Sequence, residues 1–380
     1  MLYRDFGKTG AKVSRLGFGA MRLPIRKEGG APLSGAKGLA ESAAVVRRGL
    51  ELGITYIDSA PGYCHGESET AIGLAIQGWP RENIYIATKY PTWDSACPKC
   101  LRLRIEMSLR KLKTDYIDFY HFHGIGWDAY VSRIAPDGGL MAEARKARDE
   151  GLVRHISFSF HDKPENAIKL IDTGDFESML IQYNLLDRQY DGAIRHAHAK
   201  GLGTAVMGSV GGGRLAAPSA VIAQATGAST TAEAALRFVW ANPAVDVALS
   251  GMENTAQVDE NVATADRMEP LSAGEIARID QLAEHNKKLL DLPCTGCNYY
   301  TPCKEGVAIP RIFQLYQWHT AFDLKKSAGA AYRNLGKGWE EKNKPATLCK
   351  ECGECEPKCP QKIAIPEKLK EAHAVLSAEK

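Results

Sequence analysis

Residues 55–69 read Thr-Tyr-Ile-Asp-Ser-Ala-Pro-Gly-Tyr-Cys-His-Gly-Glu-Ser-Glu, a stretch that places Asp58 and Tyr63 on one loop after a short apolar run. The run from Ile54 to Ile57 predicts a buried strand, and the proline and glycines after it mark a loop before a helical pattern. A strand therefore leads into a helix here. An aspartate and a tyrosine five residues apart are by themselves more often structural than functional, so their role depends on the rest of the chain.

The pattern of a strand followed by a helix repeats along the chain. The first strand-like run lies near residues 16–20, after a small hairpin predicted within residues 2–18. Further strand-like runs, each followed by a helical stretch, are 54–58, 84–89, 116–122, 154–159, 179–183, 203–207 and 246–250. Alternating strands and helices call for a parallel sheet, and eight strands fit a closed (β/α)8 TIM barrel better than an open sheet. We therefore predict an α/β barrel.

The composition changes after the last helix of the predicted barrel. Ser272, followed three residues later by Glu275, is a capping box that begins this helix. Beyond about residue 291, strand signals become rare, and lysines, prolines and clustered cysteines become frequent. We predict two domains, a barrel over residues 1–291 and a small cysteine-rich domain over residues 292–380.

Charge and cysteine usage exclude several classes of protein. The 48 Lys and Arg nearly balance the 45 Asp and Glu, so neither nucleic acid nor a membrane surface is expected as a partner. We find no apolar signal segment and no stretch of about 18 apolar residues that would cross a bilayer. Seven of the ten cysteines lie between Cys294 and Cys359, at spacings typical of metal ligands. We expect a soluble cytoplasmic protein with reduced thiolates.

Polar residues at the ends of predicted strands indicate one chemistry. Asp58, Lys89 and His123 end the second, third and fourth strands, and Tyr63 follows the second. Because barrel active sites lie at the C-terminal ends of the strands, these groups are expected to meet at one rim. An adjacent ammonium lowers the pKa of a phenol from its usual value of about 10, and Asp58 would hold Lys89 in place. With His123 binding the substrate oxygen or relaying the proton, the site suits proton donation to a carbonyl as a hydride arrives.

In their order along the chain, these motifs resemble the aldo-keto reductase superfamily. The resemblance covers about residues 1–285. The matching segments are Phe-Gly-Lys-Thr-Gly-Ala-Lys-Val-Ser-Arg-Leu-Gly-Phe-Gly near the start, the loop from Asp58 to Tyr63, Thr88-Lys89, and Asp-Phe-Tyr-His-Phe-His at 118–123.

The resemblance implies a role for each residue of the four-residue constellation. Tyr63 is the general acid/base, and Asp58, Lys89 and His123 complete the catalytic tetrad. The alternative histidine is His121, but the family pattern selects His123. We expect His121 to point to the other face of its strand, because side chains alternate along a strand.

The resemblance also implies a nicotinamide nucleotide, NADP or NAD, lying across the rim. Its carboxamide contacts map to Ser159 and Gln182, with Asn184 nearby, and Met207 stands where the family usually stacks an aromatic residue on the ring. The residues implied for the rest of the cofactor are Met21, Gly208, Gly211, Gly213, Arg214, Ser250, Gly251, Gln257, Glu260 and Asn261.

Two departures from the family pattern leave the choice of cofactor open. Gly251 and Gln257 stand where members that prefer NADPH carry Lys and Arg, which removes a charge-assisted contact with the 2′-phosphate. The usual Ser-Asn pair after the fifth strand reads Ser159-Phe160, so one contact to the carboxamide lacks its residue.

The C-terminal cysteines form a run that is typical of iron–sulfur ligation. The run Cys-x2-Cys-x2-Cys-x3-Cys-Pro occupies residues 349–360, and bacterial two-cluster ferredoxins use the same spacing. Zinc also binds thiolates, but its sites usually come as two separated pairs. The chain therefore resembles aldo-keto reductases that carry a C-terminal ferredoxin-like domain.

Two ligand sets follow if the fourth cysteine of each run ligates the other cluster, as in ferredoxins. The set for one [4Fe–4S] cluster is Cys303, Cys349, Cys352 and Cys355. The second set is Cys294, Cys297 and Cys359, with Tyr300 where a fourth cysteine would stand. This second site is expected to hold a three-iron cluster, a four-iron cluster with an exchangeable ligand, or nothing.

Cys97-Pro-Lys-Cys100 is an isolated cysteine pair after the third strand. Metal binding and a response to oxidation both fit such a pair. Two ligands do not make a metal site, however, and a structural role is the commoner one.

The preferred hypothesis is an NAD(P)-dependent oxidoreductase that interconverts a small-molecule carbonyl and alcohol, with Tyr63 as proton donor and acceptor. Its iron–sulfur domain is structural, senses redox state, or passes electrons to a redox partner protein. The first alternative is a redox-sensing or electron-carrying regulatory protein that binds nucleotide with little turnover. The second is a site in which open iron at the three-thiolate set acts as a Lewis acid.

Overall fold

The computed structural model describes most of the chain, and the described residues are 1–25, 27–28, 31–32, 36–93, 96–267, 269–290, 292, 294 and 303–379. The chain divides into two compact units. The first unit is Met1–Gly212 with Ala235–Pro270, and the second is Gly213–Ala234 with Leu271–Lys380. The predicted division into residues 1–291 and 292–380 stays a prediction.

Eight parallel strands among the described residues of the first unit form a closed barrel. The strands are β1 (Leu16–Gly19), β2 (Tyr56–Asp58), β3 (Tyr85–Pro91), β4 (Ile117–Ile125), β5 (Val153–Phe160), β6 (Ser178–Gln182), β7 (Gly203–Met207) and β8 (Val247–Ser250). Each strand pairs with the next along the chain, and β8 pairs with β1 to close the barrel. The predicted barrel is confirmed, and every predicted strand run overlaps an observed strand.

Helices follow the strands, as the alternation predicts. They are α1 (Ala36–Glu51), α2 (Ser68–Ala75), α3 (Pro98–Leu112), α4 (Leu140–Asp149), α5 (Pro164–Asp172), α6 (Asp191–Lys200), α7 (Ala220–Thr226), α8 (Thr231–Trp240), α9 (Thr255–Arg267), α10 (Ala273–Leu289), α11 (Ile309–Ala321), α12 (Lys325–Arg333) and α13 (Ile365–Ala378). Short helical turns lie at Ala20–Arg22, Tyr63–Gly66, Arg81–Asn83, Trp127–Ala129, Tyr130–Ile134, Gly211–Ala216, Gly338–Glu340 and Ala346–Leu348. None of the helices in the described residues is long and apolar enough to cross a membrane.

A hairpin with strands Tyr3–Asp5 and Lys12–Ser14 precedes the barrel, as the sequence predicts. Phe6, next to its first strand, is fully buried, and its ring centroid lies 4.9 Å from that of Phe119 inside the barrel. A side chain at Gly203 would place its Cβ 2.7 Å from the Phe6 ring, which explains the glycine there. The N-terminal half of the barrel interior is therefore filled with apolar side chains.

The capping box at the start of α10 is also confirmed. The Ser272 hydroxyl accepts a hydrogen bond from the backbone N–H of Glu275 at 3.3 Å. The Glu275 carboxylate accepts one from the backbone N–H of Ser272 at 2.7 Å. Because both orphan N–H groups are satisfied, the start of this helix is well defined by local sequence.

The described part of the second unit is helical. The helix predicted around Ile312 and Leu315 is present as α11, and both side chains are fully buried. It packs against α12 and α13. On the same helix, the ring of Trp318 contacts two guanidinium groups, those of Arg214 and Arg311, at 5.0 and 5.1 Å from its centroid.

Candidate active site

A buried ion pair lies at the C-terminal ends of β2 and β3. The Nζ of Lys89 donates to both carboxylate oxygens of Asp58 at 2.6 and 2.8 Å, and to the carbonyl oxygen of Ser59 at 2.6 Å. Burial alone would lower the pKa of Lys89, but the facing Asp58 and Tyr63 raise it above its usual value. Lys89 is therefore held as a fixed, charged ammonium at the rim of the barrel.

Tyr63 lies beside this ammonium. The Lys89 Nζ is 4.9 Å from the centroid of the Tyr63 ring, and the two side chains also hydrogen-bond. Burial raises the pKa of Tyr63 above its usual value, and Lys89 opposes only part of that rise. The sequence analysis expected Lys89 to lower the pKa of Tyr63. Lys89 does act in that direction, but burial raises the pKa by more, so the net shift is upward. Tyr63 consequently keeps its proton at neutral pH.

The loop that carries Tyr63 is conformationally constrained. The next two residues, Cys64 and His65, have φ values of 52° and 56°, in the left-handed region that few residues other than glycine adopt. The thiol of Cys64 points to the backbone carbonyls of Ala20 and Met21, at 3.5 and 3.4 Å. Cys64 therefore anchors the loop to the turn after β1.

His123 completes the group of four at the rim. Its ring is edge-on to the Tyr63 ring, with centroids 6.0 Å apart. Burial, then the charge on Lys89, and then His161 lower the pKa of His123 to about 3. The structure thus brings together all four residues of the predicted constellation, with a neutral imidazole facing a protonated phenol.

The expectation for His121 was wrong. His121 is paired in register with Lys89 on the neighbouring strand and is fully buried. The pKa of His121 is lowered well below its usual value by burial and then by Lys89, with His123 also contributing. Positions two apart on a strand share a face, so His121 and His123 both point into the barrel.

Two aromatic residues near the site escaped the sequence interpretation. Trp93, on the loop after β3, packs its ring 4.8 Å from that of His123 and is 60% exposed. His161, which follows β5 and is exposed, lies close enough to affect the pKa of His123. Their positions directly after strand ends were the available signal, because loops at this end of a barrel line the site.

The residues predicted to bind the nicotinamide lie at the ends of β5, β6 and β7. Ser159 is buried, and its hydroxyl accepts a hydrogen bond from the N–H of Gly124 at 2.8 Å. Gln182 and Met207 are register partners, and both are partly exposed. A Cβ at Gly208, which has a φ of 67°, would lie 3.1 Å from the Gln182 side-chain oxygen. The Gln182 amide therefore lies directly over Gly208.

The side chain of Asn184 is engaged in holding a loop. Its amide donates to the carbonyl of Gly208 at 2.9 Å, and its oxygen accepts from the N–H groups of Leu186 and Asp187 at 2.9 and 3.0 Å. The oxygen of Asn184 and one of its amide hydrogens therefore position the chain after β6 and β7.

The residues predicted for the adenosine end lie after β8 and on α9. Asn261 is buried and donates to the hydroxyl of Ser250 at 3.0 Å. The side-chain oxygen of Gln257 accepts from the N–H of Glu253 at 2.7 Å. Glu260, also on α9, is exposed. These contacts shape the loop that leads from β8 into α9.

Arg22 is a cation at this rim that the sequence interpretation missed. A Cβ at Gly251 would lie 3.4 Å from the Arg22 Cδ, and one at Gly212 would lie 3.6 Å from a guanidinium nitrogen. Within the described residues, Arg22 makes no hydrogen bond or ion pair. It follows the exposed Met21, one of the predicted cofactor residues, in the turn after β1. The only signal for it was that position after a strand end.

The three consecutive glycines at 211–213 have left-handed φ values of 59°, 63° and 90°. Residues with side chains rarely adopt such values, so this turn requires glycine. In the second unit, Arg214 stacks on Trp318. One face of its guanidinium is therefore covered by an aromatic ring.

The C-terminal cysteine run lies in the second unit. Lys304, next to Cys303, pairs with Glu354 inside the run at 2.6 Å. Burial raises the pKa of Cys355 to about 11, and Cys349 and Cys352 add to the rise.

These thiols do not form a metal site as they stand. Among the residues that the structure describes, no group of three or more His, Cys, Asp or Glu side chains is arranged to hold a metal ion. Cys359 is buried, and Cys294 is partly buried. Cys297 and Tyr300 lie outside the described residues, so the second predicted ligand set cannot be assembled from them.

The barrel and its rim are matched by known proteins. Residues 15–284 match the model of the Aldo/keto reductase family, a span that ends before the cysteine runs. L-galactose dehydrogenase of Arabidopsis thaliana is 26% identical over 322 residues, which cover 75% of this chain and 95% of that protein.

Solved structures agree with the family match. An aldo-keto reductase of Bacillus halodurans in its holo form has a TM-score of 0.61 and 25% identity, over 74% of this chain and 96% of that chain. An aldo/keto reductase of Klebsiella pneumoniae in complex with NADP and acetate has a TM-score of 0.59 and 26% identity, over 73% of this chain and 93% of that chain. Since the family model spans most of the barrel that carries this rim, the chain belongs to the aldo/keto reductase family of oxidoreductases.

Proposed function

We propose that this protein is an NAD(P)-dependent oxidoreductase that interconverts a small-molecule carbonyl and the corresponding alcohol, with Tyr63 as the proton donor and acceptor. The observation that carries the proposal is the buried Lys89 ammonium, held by Asp58 and placed 4.9 Å from the Tyr63 ring. A buried ion pair next to a phenol is costly to maintain and contributes little to stability, which supports a chemical role for it.

The proton step follows from the pKa shifts at the rim. Because burial holds the pKa of Tyr63 above its usual value, the phenol is protonated at neutral pH and is available to a carbonyl oxygen. The Lys89 ammonium stabilises the phenolate that this donation leaves. His123 is a neutral imidazole, so one ring N–H is free to orient the substrate oxygen. In the oxidation direction, Tyr63 first releases its own proton to water, and the resulting phenolate, stabilised by the Lys89 ammonium, accepts the proton of the alcohol.

The proposal of a nicotinamide cofactor rests on residues at the ends of β5 to β7. A bound nicotinamide nucleotide would supply or accept the hydride. The Ser159 hydroxyl and the Gln182 amide offer polar contacts to a carboxamide, and Met207 offers an apolar surface to a ring. The Klebsiella pneumoniae relative in complex with NADP supports this assignment. Gly251 and Gln257 lack the charges that favour the 2′-phosphate of NADPH, whereas Arg22 supplies a charge near Gly251. NADH and NADPH are therefore to be compared directly.

The test is turnover by the anaerobically purified chain of residues 1–380 with a panel of aldehydes and ketones and with each nucleotide. Tyr63→Phe is expected to reduce kcat by about 10²–10⁴-fold, the usual contribution of a positioned general acid. The matched control is Tyr3→Phe, because Tyr3 is an exposed phenol in the hairpin whose hydroxyl donates to the Gly53 carbonyl. Full activity in Tyr63→Phe would rule out the proposed proton donor. Nucleotide binding without turnover in the unmodified chain would favour a regulatory role instead.

We also propose that Cys303, Cys349, Cys352 and Cys355 bind a [4Fe–4S] cluster. The ferredoxin spacing and the Lys304–Glu354 pair, which brings the two cysteine segments together, support it. As placed, the thiols are not arranged to hold a metal, so binding requires them to move together. No step of the proposed reaction depends on this cluster, whose role would be structural, sensory or electron-transferring to a partner protein.

Iron and sulfide content of the anaerobic sample tests the cluster. We expect about four iron atoms per cluster and their loss in Cys352→Ser, which removes one of the thiolate ligands. The control is Cys64→Ser, since Cys64 contacts backbone carbonyls in the barrel. Zinc in place of iron, or an iron-free chain after reconstitution with iron and sulfide, would contradict the assignment.

A further inference from the structure

A pair of cysteines that the proposed function does not use lies at the start of α3. Cys97 is the N-cap residue of this 15-residue helix, and its sulfur accepts a hydrogen bond from the N–H of Cys100 at 3.2 Å. The two thiols also hydrogen-bond to each other. Since they lie one helical turn apart, they are placed on the same side of the first turn.

The surroundings favour a thiolate at Cys97. The hydrogen bonds from the Cys100 side chain and backbone are the main causes that lower the pKa of Cys97, and Lys99 adds to them. The N-terminus of a helix also stabilises a negative charge. By contrast, burial raises the pKa of Cys64. Cys97 is therefore expected to be a better nucleophile than Cys64 at neutral pH, because more of it is thiolate.

Both thiols are accessible, and neither belongs to a predicted cluster. Cys97 and Cys100 are each partly exposed. Within the described part of the chain, no third His, Cys, Asp or Glu joins them to form a metal site. Two thiols do not suffice for a structural zinc site, whereas two thiols that contact each other are the reactants of a disulfide.

We propose that Cys97 and Cys100 form a redox-active dithiol that exchanges with disulfides of low-molecular-weight thiols, of which oxidised glutathione is the probe. The Cys97 thiolate attacks one sulfur of the incoming disulfide, so its S–S bond breaks and one thiolate leaves. Cys100 then loses its proton and attacks the Cys97 sulfur of the mixed disulfide. The second thiolate leaves, and an internal Cys97–Cys100 disulfide forms. Two electrons pass from the dithiol to the incoming disulfide, which ends as two thiols.

The test is equilibration of the anaerobically purified chain of residues 1–380 in glutathione buffers of graded redox potential, followed by alkylation and peptide mapping. We expect one internal disulfide that links Cys97 to Cys100 and follows a two-electron titration. Cys97→Ser and Cys100→Ser should each abolish it, whereas Cys64→Ser should leave it in place. Because the unmodified chain already reports the linkage, a variant that fails to fold does not remove the test.

A second measurement examines Cys97 alone. At pH 7, iodoacetamide is expected to alkylate Cys97 at least about 10-fold faster than Cys64 in the same sample, because the thiolate is the reactive form. Tyr63→Phe should leave this ratio unchanged, which separates the dithiol from the proposed reductase activity. Equal alkylation rates, two separate glutathione adducts in place of an internal disulfide, or free thiols in the most oxidising buffer would overturn the proposal.

Discussion

At the scale of single residues, the proposed chemistry depends on the charge of Lys89. Its ammonium is 1% exposed and is compensated by the carboxylate of Asp58 and the carbonyl of Ser59. A buried charge without a partner is strongly unfavourable, so the two members of the pair are expected to be coupled in stability as well as in function.

Replacing Lys89 with methionine is expected to lower the free energy of unfolding by about 3–5 kcal/mol, because Asp58 is left buried and unpaired. The double variant Asp58→Asn with Lys89→Met should recover part of this loss. Urea denaturation measures both. The control is Arg48→Met, which removes an exposed ion pair with Asp259 and should cost about 1 kcal/mol or less. Equal costs for Lys89→Met and Arg48→Met would contradict the importance of burial.

His123 makes stability depend on pH. The folded chain holds the pKa of His123 at about 3, whereas an unfolded histidine takes up its proton near pH 6.5. As the pH falls from 6.5 towards 3, the unfolded state therefore binds a proton that the folded state does not, and stability is lost. We expect His123→Phe to show a shallower fall of Tm over this range. Parallel Tm profiles for the two proteins would show that His123 is not buried as a neutral group.

Arg22 is expected to contribute to cofactor affinity through its charge. Because it lies against Gly251 and Gly212, a phosphate of the nucleotide would meet its guanidinium there. Arg22→Gln should raise the Kd of NADPH by about 10-fold, as expected for the loss of a hydrogen bond to a charged group. Fluorescence titration measures this, with Lys12→Gln in the hairpin as the control. If the Kd values of NADPH and NADH both stay unchanged in Arg22→Gln, Arg22 does not contact the cofactor.

At the scale of helices and strands, close backbone approach decides which glycines are required. A Cβ at Gly73 on α2 would lie 2.2 Å from the carbonyl oxygen of Lys111 on α3, so one of the helices would have to shift. At Gly192 on α6, a Cβ would meet nothing within 4 Å. Both glycines lie within helices, but only Gly73 is packed closely against a neighbouring backbone.

Gly73→Ala is therefore expected to destabilise the chain by about 1–3 kcal/mol, the usual cost of overpacking. Gly192→Ala should be stabilising by about 0.5–1 kcal/mol, since alanine loses less conformational freedom in a helix. Denaturant unfolding of the two variants beside the unmodified chain measures both. A Gly73→Ala variant as stable as Gly192→Ala would show that α2 and α3 are not as close as described.

At the scale of the whole molecule, the two compact units alternate along the sequence. The second unit includes Gly213–Ala234, which lies between two segments of the first. Within the second unit, Ser219 donates to the carbonyl of Phe322, and Asn286 donates to Thr320 at 2.9 Å. Segments on both sides of residue 291 therefore share one unit.

A shortened chain of residues 1–291 tests this arrangement. It keeps the barrel strands but loses α11, against which α10 packs. We expect a lower Tm than for the full chain and faster trypsin cleavage within residues 213–234 and 271–290. An unchanged Tm would instead favour the predicted division at residue 291, with a C-terminal domain that is independent of the rest.

Much of the fold and of the site could be predicted from local patterns. Eight strands, the capping box at Ser272 and the helix around Ile312 each depend on residues close together in sequence, and all are present. The proximity of Asp58, Lys89 and His123 could be predicted because they stand at strand ends, and the ends of parallel strands meet at one rim. The face of His121 was mispredicted although the same alternation settles it.

The sequence by itself determined the barrel and the residues at its rim, because hydrophobic periodicity and the positions of strand ends are local features of the sequence. Only the tertiary structure placed Trp93 against His123, and Arg22 against Gly212 and Gly251. It also decided that burial outweighs the charge of Lys89 in setting the pKa of Tyr63. These contacts join residues from separate loops, and their energies depend on how much water the packed chain excludes. No local period encodes either quantity, so the direction of the Tyr63 pKa followed from packing rather than from the residues alone.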